Sequence, residues 1–139
     1  DNVIEVYEVG ARNDDVDPFK MIQRISTIEA GEKQRAAASG IEFSPDGNHL
    51  FVTNAGINTV IIYDVDKETG VLTPLFHCKT SGDYPKAVAV MPDNKHFIVL
   101  SHETDEIFIY NMNYEDCYFL QDSRPIEIEQ PNCIFIHKL

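Results

Sequence analysis

The chain has 139 residues, 43% of them apolar, which is enough for one folded domain with a buried core and excludes a disordered chain. Eleven Lys and Arg against 23 Asp and Glu leave a formal net charge of −12, without a basic stripe interleaved with aromatic residues. This composition argues against a nucleic-acid partner or an anionic membrane surface. The longest apolar runs are about five residues, far below the roughly 18 needed to cross a bilayer.

The predicted elements begin with two strands, one over residues 2–9 and one near Met21–Ile28. The first residues lack a signal-peptide pattern, so we predict a cytoplasmic protein without a membrane partner. A long, Ala-rich stretch, residues 30–39, leads to the next strand, and its composition leaves both a helical turn and a binding loop open.

Residues 40–65 then align with residues 87–112, a period of 47 residues without insertion. Tyr63 falls on Tyr110, and the turn Pro45-Asp46 falls on Pro92-Asp93. Each copy predicts four antiparallel strands, named A to D from the inside outward: 40–45, 49–54, 59–65 and 71–78 in the first, and 87–91, 96–101, 106–112 and 118–120 in the second. A repeat of this length made of strands and turns is typical of β-propeller blades.

Partial copies flank the two complete ones. Asn2–Val9 matches Asn58–Val65, and Pro131–Ile136 matches Pro85–Val90. We therefore predict an all-β propeller portion with four parts: a partial blade with a long D–A connection, two full blades, and a closing innermost strand, over residues 1–39, 40–84, 85–130 and 131–139. These parts do not close a ring, so either the remaining blades of a larger propeller or a second copy of this chain must complete it.

Three segments carry a family resemblance: the turn Phe43-Ser-Pro-Asp-Gly, the stretch Asp66-Lys-Glu-Thr-Gly-Val-Leu-Thr-Pro and the ending Gln130-Pro-Asn-Cys-Ile-Phe-Ile. Together they make nearly the whole chain similar to the seven-bladed lactonase propellers of the 6-phosphogluconolactonase type. The resemblance implies the C-terminal portion of a protein more than twice as long. It also implies hydrolysis of a sugar lactone.

The family's active-site pattern transfers poorly to this chain. In lactonases with the clearest active-site pattern, three motifs occur: Ala-Glu-Ile-His just before the A–B turn, Asn-Arg-Gly in the next B–C loop, and Pro-Arg-Asn at the start of the following strand A. Carried over, the Glu falls on Gly40, the His on Glu42, the loop Arg on Ala55 and the last Arg on Lys86. Only Lys86 keeps the charge type, and a Lys lacks the bidentate grip of a guanidinium.

Opening a lactone requires a base to activate water, a group to stabilise the oxyanion and, for a phosphorylated sugar, cations for the phosphate. We predict a substitute site with Glu42 and Lys86 as catalytic residues and a set of substrate-binding residues: Lys33, Arg35, Gly40, Asn54 and His102. The alternative is a non-catalytic propeller that binds a small metabolite or a protein partner. A third hypothesis is a structural module that associates through its open edges.

Neither histidines nor cysteines show metal-ligand spacing. Cys78, Cys117 and Cys133 are an odd number at wide spacing, which is typical of reduced thiols rather than of a disulfide framework or a zinc site. Four histidines are scattered over strand positions: His49, His77, His96 and His137. We predict no metal and no cofactor.

Overall fold

The computed structural model describes residues 2–10, 18–32 and 35–137, and in these ranges it contains eleven β-strands in three antiparallel sheets. The first sheet is the hairpin of β1 (Val3–Val9) and β2 (Phe19–Ser26). The second consists of β3 (Ala37–Phe43), β4 (His49–Ala55), β5 (Thr59–Val65) and β6 (Leu72–Lys79). The third consists of β7 (Pro85–Val90), β8 (His96–Ser101), β9 (Glu106–Asn113), β10 (Tyr118–Gln121) and β11 (Ile126–Glu127).

Both full sheets are meanders in chain order, which confirms the all-β propeller architecture predicted from the repeat. The innermost strands begin earlier than predicted, at Ala37 and Pro85. Within the described part of residues 30–39, the chain forms a turn and then enters β3, and no helical turn is present. No helix in the described ranges has the length and apolarity needed to cross a membrane.

The outermost strand of the third sheet is interrupted, a feature that the sequence did not predict. β10 pairs with the end of β9, and β11 pairs with its beginning. Pro125, in the gap between them, has no N–H to donate to a ladder. The gap is bridged at one point, where Asp122 N donates to Ile109 O over 2.9 Å.

The A–B turns are fastened by their own polar side chains. In the first copy, Ser44 Oγ donates to Asp46 Oδ1 over 2.7 Å, and Ser44 N donates to His49 O over 2.8 Å. In the second, Asp93 Oδ2 lies 2.7 Å from His96 Nδ1, and its Oδ1 accepts from Lys95 N over 2.8 Å. These bonds, that of His96 above all, lower the pKa of Asp93 to about 2.

The core lies between the sheets, and the alternation of β4 determines which side chains enter which layer. Phe51 faces the third sheet and packs in a cluster with residues such as Val88 and Phe97. Leu50 and Val52 face the first hairpin, where Ile4, Val6 and Ile25 pack against them. The sheets therefore stack face to face, as the blades of a propeller do.

The repeated tyrosine of strand C joins each full blade to the one before it. Tyr63 is fully buried and its hydroxyl donates to the carbonyl oxygen of Ser26, the last residue of β2, over 2.6 Å. Tyr110 accepts a hydrogen bond of 2.7 Å from Ser81 N, just after β6. Burial raises the pKa of both phenols. The repeated tyrosine thus hydrogen-bonds to the segment of the preceding blade in both copies, as a donor in the first and as an acceptor in the second.

A second repeated contact directs the chain into each innermost strand. Asn58 lies in the turn between β4 and β5, and its side chain accepts a 3.1 Å hydrogen bond from Tyr84 N, just before β7. Asp105 accepts a 2.9 Å bond from Gln130 N in the same way. The chain therefore leads into residues 131–137 through the same contact that precedes an innermost strand. These residues do not form a strand, because the described ranges contain no strand paired with them.

Candidate functional site

Each full blade carries a β-bulge near the start of its innermost strand. The register of β3 on β4 shifts between Ala38 and Gly40, and that of β7 on β8 shifts between Pro85 and Ala87. The extra residues are Ser39 and Lys86, which occupy equivalent positions of the repeat. A bulge turns a side chain away from the ladder, and such irregularities are frequent near active sites.

The side chains of the two bulge residues make different contacts. Ser39 Oγ contacts Thr53 Oγ1 at 3.0 Å and donates to Pro85 O, which joins the two full blades. Lys86 instead places its Nζ 5.5 Å from the centroid of the Tyr84 ring, within cation–π distance. At this rim the second blade therefore presents a cation where the first has a structural hydroxyl.

His102 completes a group that we call the rim cluster: Tyr84, Lys86 and His102. The ring of His102 lies 6.3 Å from that of Tyr84, centroid to centroid, and His102 N donates to Tyr84 O over 3.0 Å. Tyr84, Lys86 and His102 are each half-buried. Of the residues predicted from the sequence, the structure thus brings Lys86 and His102 together, with Tyr84 between them.

The orientation of His102 has a chemical consequence. Its Nδ1 lies 3.4 Å from Pro131 O, and a carbonyl oxygen can only accept a hydrogen bond. A hydrogen bond here therefore requires the proton on Nδ1, and in the neutral imidazole Nε2 then carries the lone pair. A neutral imidazole held in this way has the form of a general base.

Tyr84 adopts a backbone conformation that bulky residues rarely occupy, with φ at 58°. Two acceptors hold its N–H there, Asn58 Oδ1 at 3.1 Å and Asp83 Oδ1 at 3.0 Å. Asn58 Nδ2 in turn donates to Asp83 Oδ1 over 2.8 Å. The preceding blade thus positions the aromatic ring on which Lys86 lies.

Glu42, the other predicted catalytic residue, lies at a different level of the innermost strands. Gly40 lies directly beside Ala87, so Glu42 is level with Ala89, about 10 Å along the strand from Lys86. Glu42 is exposed and lines a cleft with Ala89 and residues 134–136. The structure therefore does not bring the two predicted catalytic side chains together.

Gly40, where the family pattern has Glu, is a point of close packing. A Cβ atom at this position would lie 2.8 Å from Thr53 Oγ1 and 3.0 Å from Ala87 Cα. Replacing the glycine would require β3 and β7 to move apart. The residue change at this position is thus coupled to how closely the two blades approach each other.

The remaining predicted substrate-binding residues are dispersed. Asn54 is fully buried, and its side-chain amide makes two hydrogen bonds with Thr27. Its Oδ1 accepts from Thr27 Oγ1 over 2.9 Å, and its Nδ2 donates to the Thr27 carbonyl over 2.7 Å. Arg35 is exposed, and its carbonyl packs on Gly56, whose φ is +79°. Lys33 lies outside the described residues.

Acidic residues flank two members of the rim cluster in the chain. Asp83 precedes Tyr84, and Glu103 follows His102 and donates its N–H to Asp83 O over 3.3 Å. Both are exposed. Two acidic residues therefore lie next to members of the rim cluster along the chain, which suits a ligand with at most a small negative charge at this point.

Tyr84 and Asn58 are the site residues that sequence reasoning missed. A signal for Asn58 was present, because it aligns with Asn2 and Asp105, polar residues that can occupy left-handed turns. Tyr84 has no such signal, since its counterpart before the last innermost strand is Gln130.

Comparison with known proteins agrees with the sequence resemblance. The chain is 21% identical over 122 residues to the 6-phosphogluconolactonase of Bacillus subtilis, which covers 87% of this chain and 35% of that protein. It is 29% identical over 80 residues to the 6-phosphogluconolactonase of Formosa agariphila, which covers 56% of this chain and 23% of that protein. The chain thus spans about a third or less of the curated relatives it matches.

The structural comparison extends the likeness to the fold. The structure of the Pseudomonas aeruginosa periplasmic gluconolactonase superimposes with a TM-score of 0.81 at 19% identity, over 95% of this chain and 36% of that one. At this identity the likeness shows the fold alone. The family described as "Lactonase, 7-bladed beta-propeller" matches residues 1–136. The chain therefore belongs to the seven-bladed β-propeller lactonase family.

Proposed function

We propose that this chain forms part of a site that hydrolyses a sugar lactone, and that the rim cluster carries the chemistry. The observation that supports this most is the pairing of an oriented imidazole with an ammonium group across Tyr84. These are the two kinds of group that lactone opening requires, a base and a cation. Relatives named 6-phosphogluconolactonase support the same reaction class.

In the proposed reaction, His102 Nε2 takes a proton from water as the water oxygen adds to the lactone carbonyl. The carbonyl oxygen becomes an oxyanion, and the Lys86 ammonium stabilises this charge. The bond from the carbonyl carbon to the ring oxygen then breaks. The ring oxygen receives the proton from the imidazolium, and a hydroxy acid is released.

Glu42 is the second candidate for the base, as the family alignment placed it where lactonases carry a His. Its distance along the strand from Lys86 makes it better placed for the far end of a substrate than for the carbonyl that Lys86 contacts. For a phosphorylated lactone, Arg35 and Lys33 of the D–A connection are the candidate phosphate-binding residues. Glucono-lactone without phosphate would need neither.

We further infer that the outer faces of the chain are covered by the remaining blades of a larger propeller or by a second copy. Large apolar side chains are exposed on both outer blades: Val9, Phe19 and Met21 on the first hairpin, and Leu120, Ile126 and Phe135 at the other end. Such patches in a soluble fold mark interaction surfaces.

The test compares hydrolysis of 6-phosphogluconolactone and of glucono-lactone with their spontaneous rates. His102→Gln and Lys86→Gln should each lower the enzymatic rate about 10²-fold or more. Glu42→Gln should have a smaller effect. Lys95→Gln serves as the matched control, because Lys95 is exposed in the turn between β7 and β8. A wild-type rate at background would favour the non-catalytic binding alternative, and a larger loss in Glu42→Gln than in His102→Gln would make Glu42 the base.

A further inference from the structure

Outside the rim cluster, the fold brings together three metal-ligating side chains that the sequence separates. Glu29 and Glu32 lie in the turn after β2, and His77 lies on β6 of the next blade. One candidate ligand atom from each residue can be chosen so that all three lie within 4.8 Å of one another. We call these residues the inter-blade triad.

A turn presents both carboxylates on one side. Glu32 N donates to Glu29 O over 3.2 Å, and Glu29 N donates to Glu32 Oε2 over 3.4 Å. The local backbone thus keeps Glu32 directed back over the turn, toward His77. This arrangement is set by the first blade alone, before the second blade supplies the imidazole.

The imidazole is buried and incompletely bonded. The side chain of His77 is only 9% exposed, and its Nε2 is buried without a hydrogen-bond partner. Nε2 lies 3.8 Å from Glu32 Oε2, and Nδ1 lies 3.4 Å from Glu29 Oε1. A buried nitrogen lone pair or N–H without a partner is costly unless a ligand satisfies it.

We propose that the inter-blade triad binds a divalent transition metal ion, with Zn²⁺ as the best fit. Imidazole nitrogen with carboxylate oxygen is a donor set that suits Zn²⁺, whereas Mg²⁺ and Ca²⁺ prefer oxygen ligands alone. His77 Nε2 and Glu32 are direct ligands. Glu29 either ligates or accepts the Nδ1–H, the usual way in which a carboxylate orients a metal-binding His.

The proposal does not rest on the lactonase function. His77 and Glu29 line a cavity of about 380 Å³ between the first two sheets, which gives an ion access to the triad. The ion would connect residues on two blades, so its binding should stabilise the interface between them. The sequence predicted no metal site because Glu32 and His77 are too far apart along the chain for any spacing rule to relate them.

The test titrates the metal-free chain with Zn²⁺ alone, followed by isothermal calorimetry and by the thermal unfolding midpoint. We expect one site, a midpoint that rises with Zn²⁺, and an affinity that falls at least tenfold in His77→Gln and in Glu32→Gln. Mn²⁺ should bind more weakly, and Mg²⁺ should not compete. His96→Gln is the matched control, since His96 also contacts a carboxylate, that of Asp93, and the described residues give it no second one.

Cys78 is a competing metal ligand to exclude, because its thiol is free and it is adjacent to His77 in the sequence. Cys78→Ser should therefore bind Zn²⁺ as the wild type does. Loss of binding in Cys78→Ser with retention in His77→Gln would overturn the proposal. Absence of Zn²⁺ binding by the wild type would overturn it as well.

Discussion

The contact between Tyr63 and the preceding blade gives the sharpest stability prediction. Tyr63→Phe keeps the buried ring but removes the hydroxyl that donates to Ser26 O over 2.6 Å. The loss of one such bond, at a partly buried acceptor that solvent can still reach, should cost about 1 kcal/mol. For a domain of this size that corresponds to a fall of roughly 3 °C in the unfolding midpoint.

Tyr110→Phe should cost at least as much, because it leaves the N–H of Ser81 without its acceptor. Tyr7, the equivalent residue of the first hairpin, provides the matched control. It is 44% exposed and its hydroxyl donates to Glu5 Oε2 at the surface, so Tyr7→Phe should change stability by less than about 0.5 kcal/mol.

The assay is urea unfolding of the three variants beside the wild type, followed by far-ultraviolet circular dichroism, with the free energy of unfolding obtained by linear extrapolation. The expected order of stability loss is Tyr110→Phe and Tyr63→Phe above Tyr7→Phe. Equal losses in all three variants would refute the view that the tyrosine acts by fastening one blade to the preceding one. In that case its recurrence would reflect packing within the blade alone.

Three further predictions concern the inner strands, a turn and the outer faces. Gly40→Ala should destabilise the chain by about 1–3 kcal/mol, because its Cβ would meet Thr53 and Ala87; a loss below 0.5 kcal/mol in urea unfolding would contradict this. The lowered pKa of Asp93 contributes stability that is full above about pH 4 and is lost as the pH falls toward 2. Since the Asp93 side chain is 45% exposed, the contribution should stay below about 1 kcal/mol, and Asp93→Asn should flatten the acid limb of the stability curve rather than leave it unchanged. Replacing exposed Phe19 and Leu120 by Ser should abolish any self-association seen by sedimentation, which would persist if other surfaces caused it.

Most of the fold could be predicted because the repeat encodes it twice. Alternation along β4 and the turn residues Ser44–Gly47 determine local structure, and the second copy confirms the register. The interrupted outer strand was not predictable from the first copy, since Leu72–Lys79 is continuous there. The last innermost strand was predicted from its sequence, but a strand exists only where a neighbour supplies the ladder.

The site was predicted less well, because propeller sites are assembled from several blades. Lys86 was located by the family alignment and His102 by its place in the predicted B–C loop, and both contact Tyr84 in the structure. The repeat alignment already pairs Glu42 with Ala89, three residues beyond Lys86, and the packing of Gly40 beside Ala87 keeps that offset in the structure. Tyr84 could not be identified from the sequence, because its position depends on a hydrogen bond to Asn58 of the preceding blade.

The most direct test of the rim cluster as a lactone site is the location of bound product. Titration of the ¹⁵N-labelled chain with 6-phosphogluconate or gluconate, followed by amide chemical shifts, reports which residues it contacts. We expect the largest changes at Tyr84, Lys86 and His102, and their loss in Lys86→Gln with retention in Lys95→Gln. Changes centred instead on Glu42 and Ala89, or no saturable changes at all, would contradict the assignment of the site.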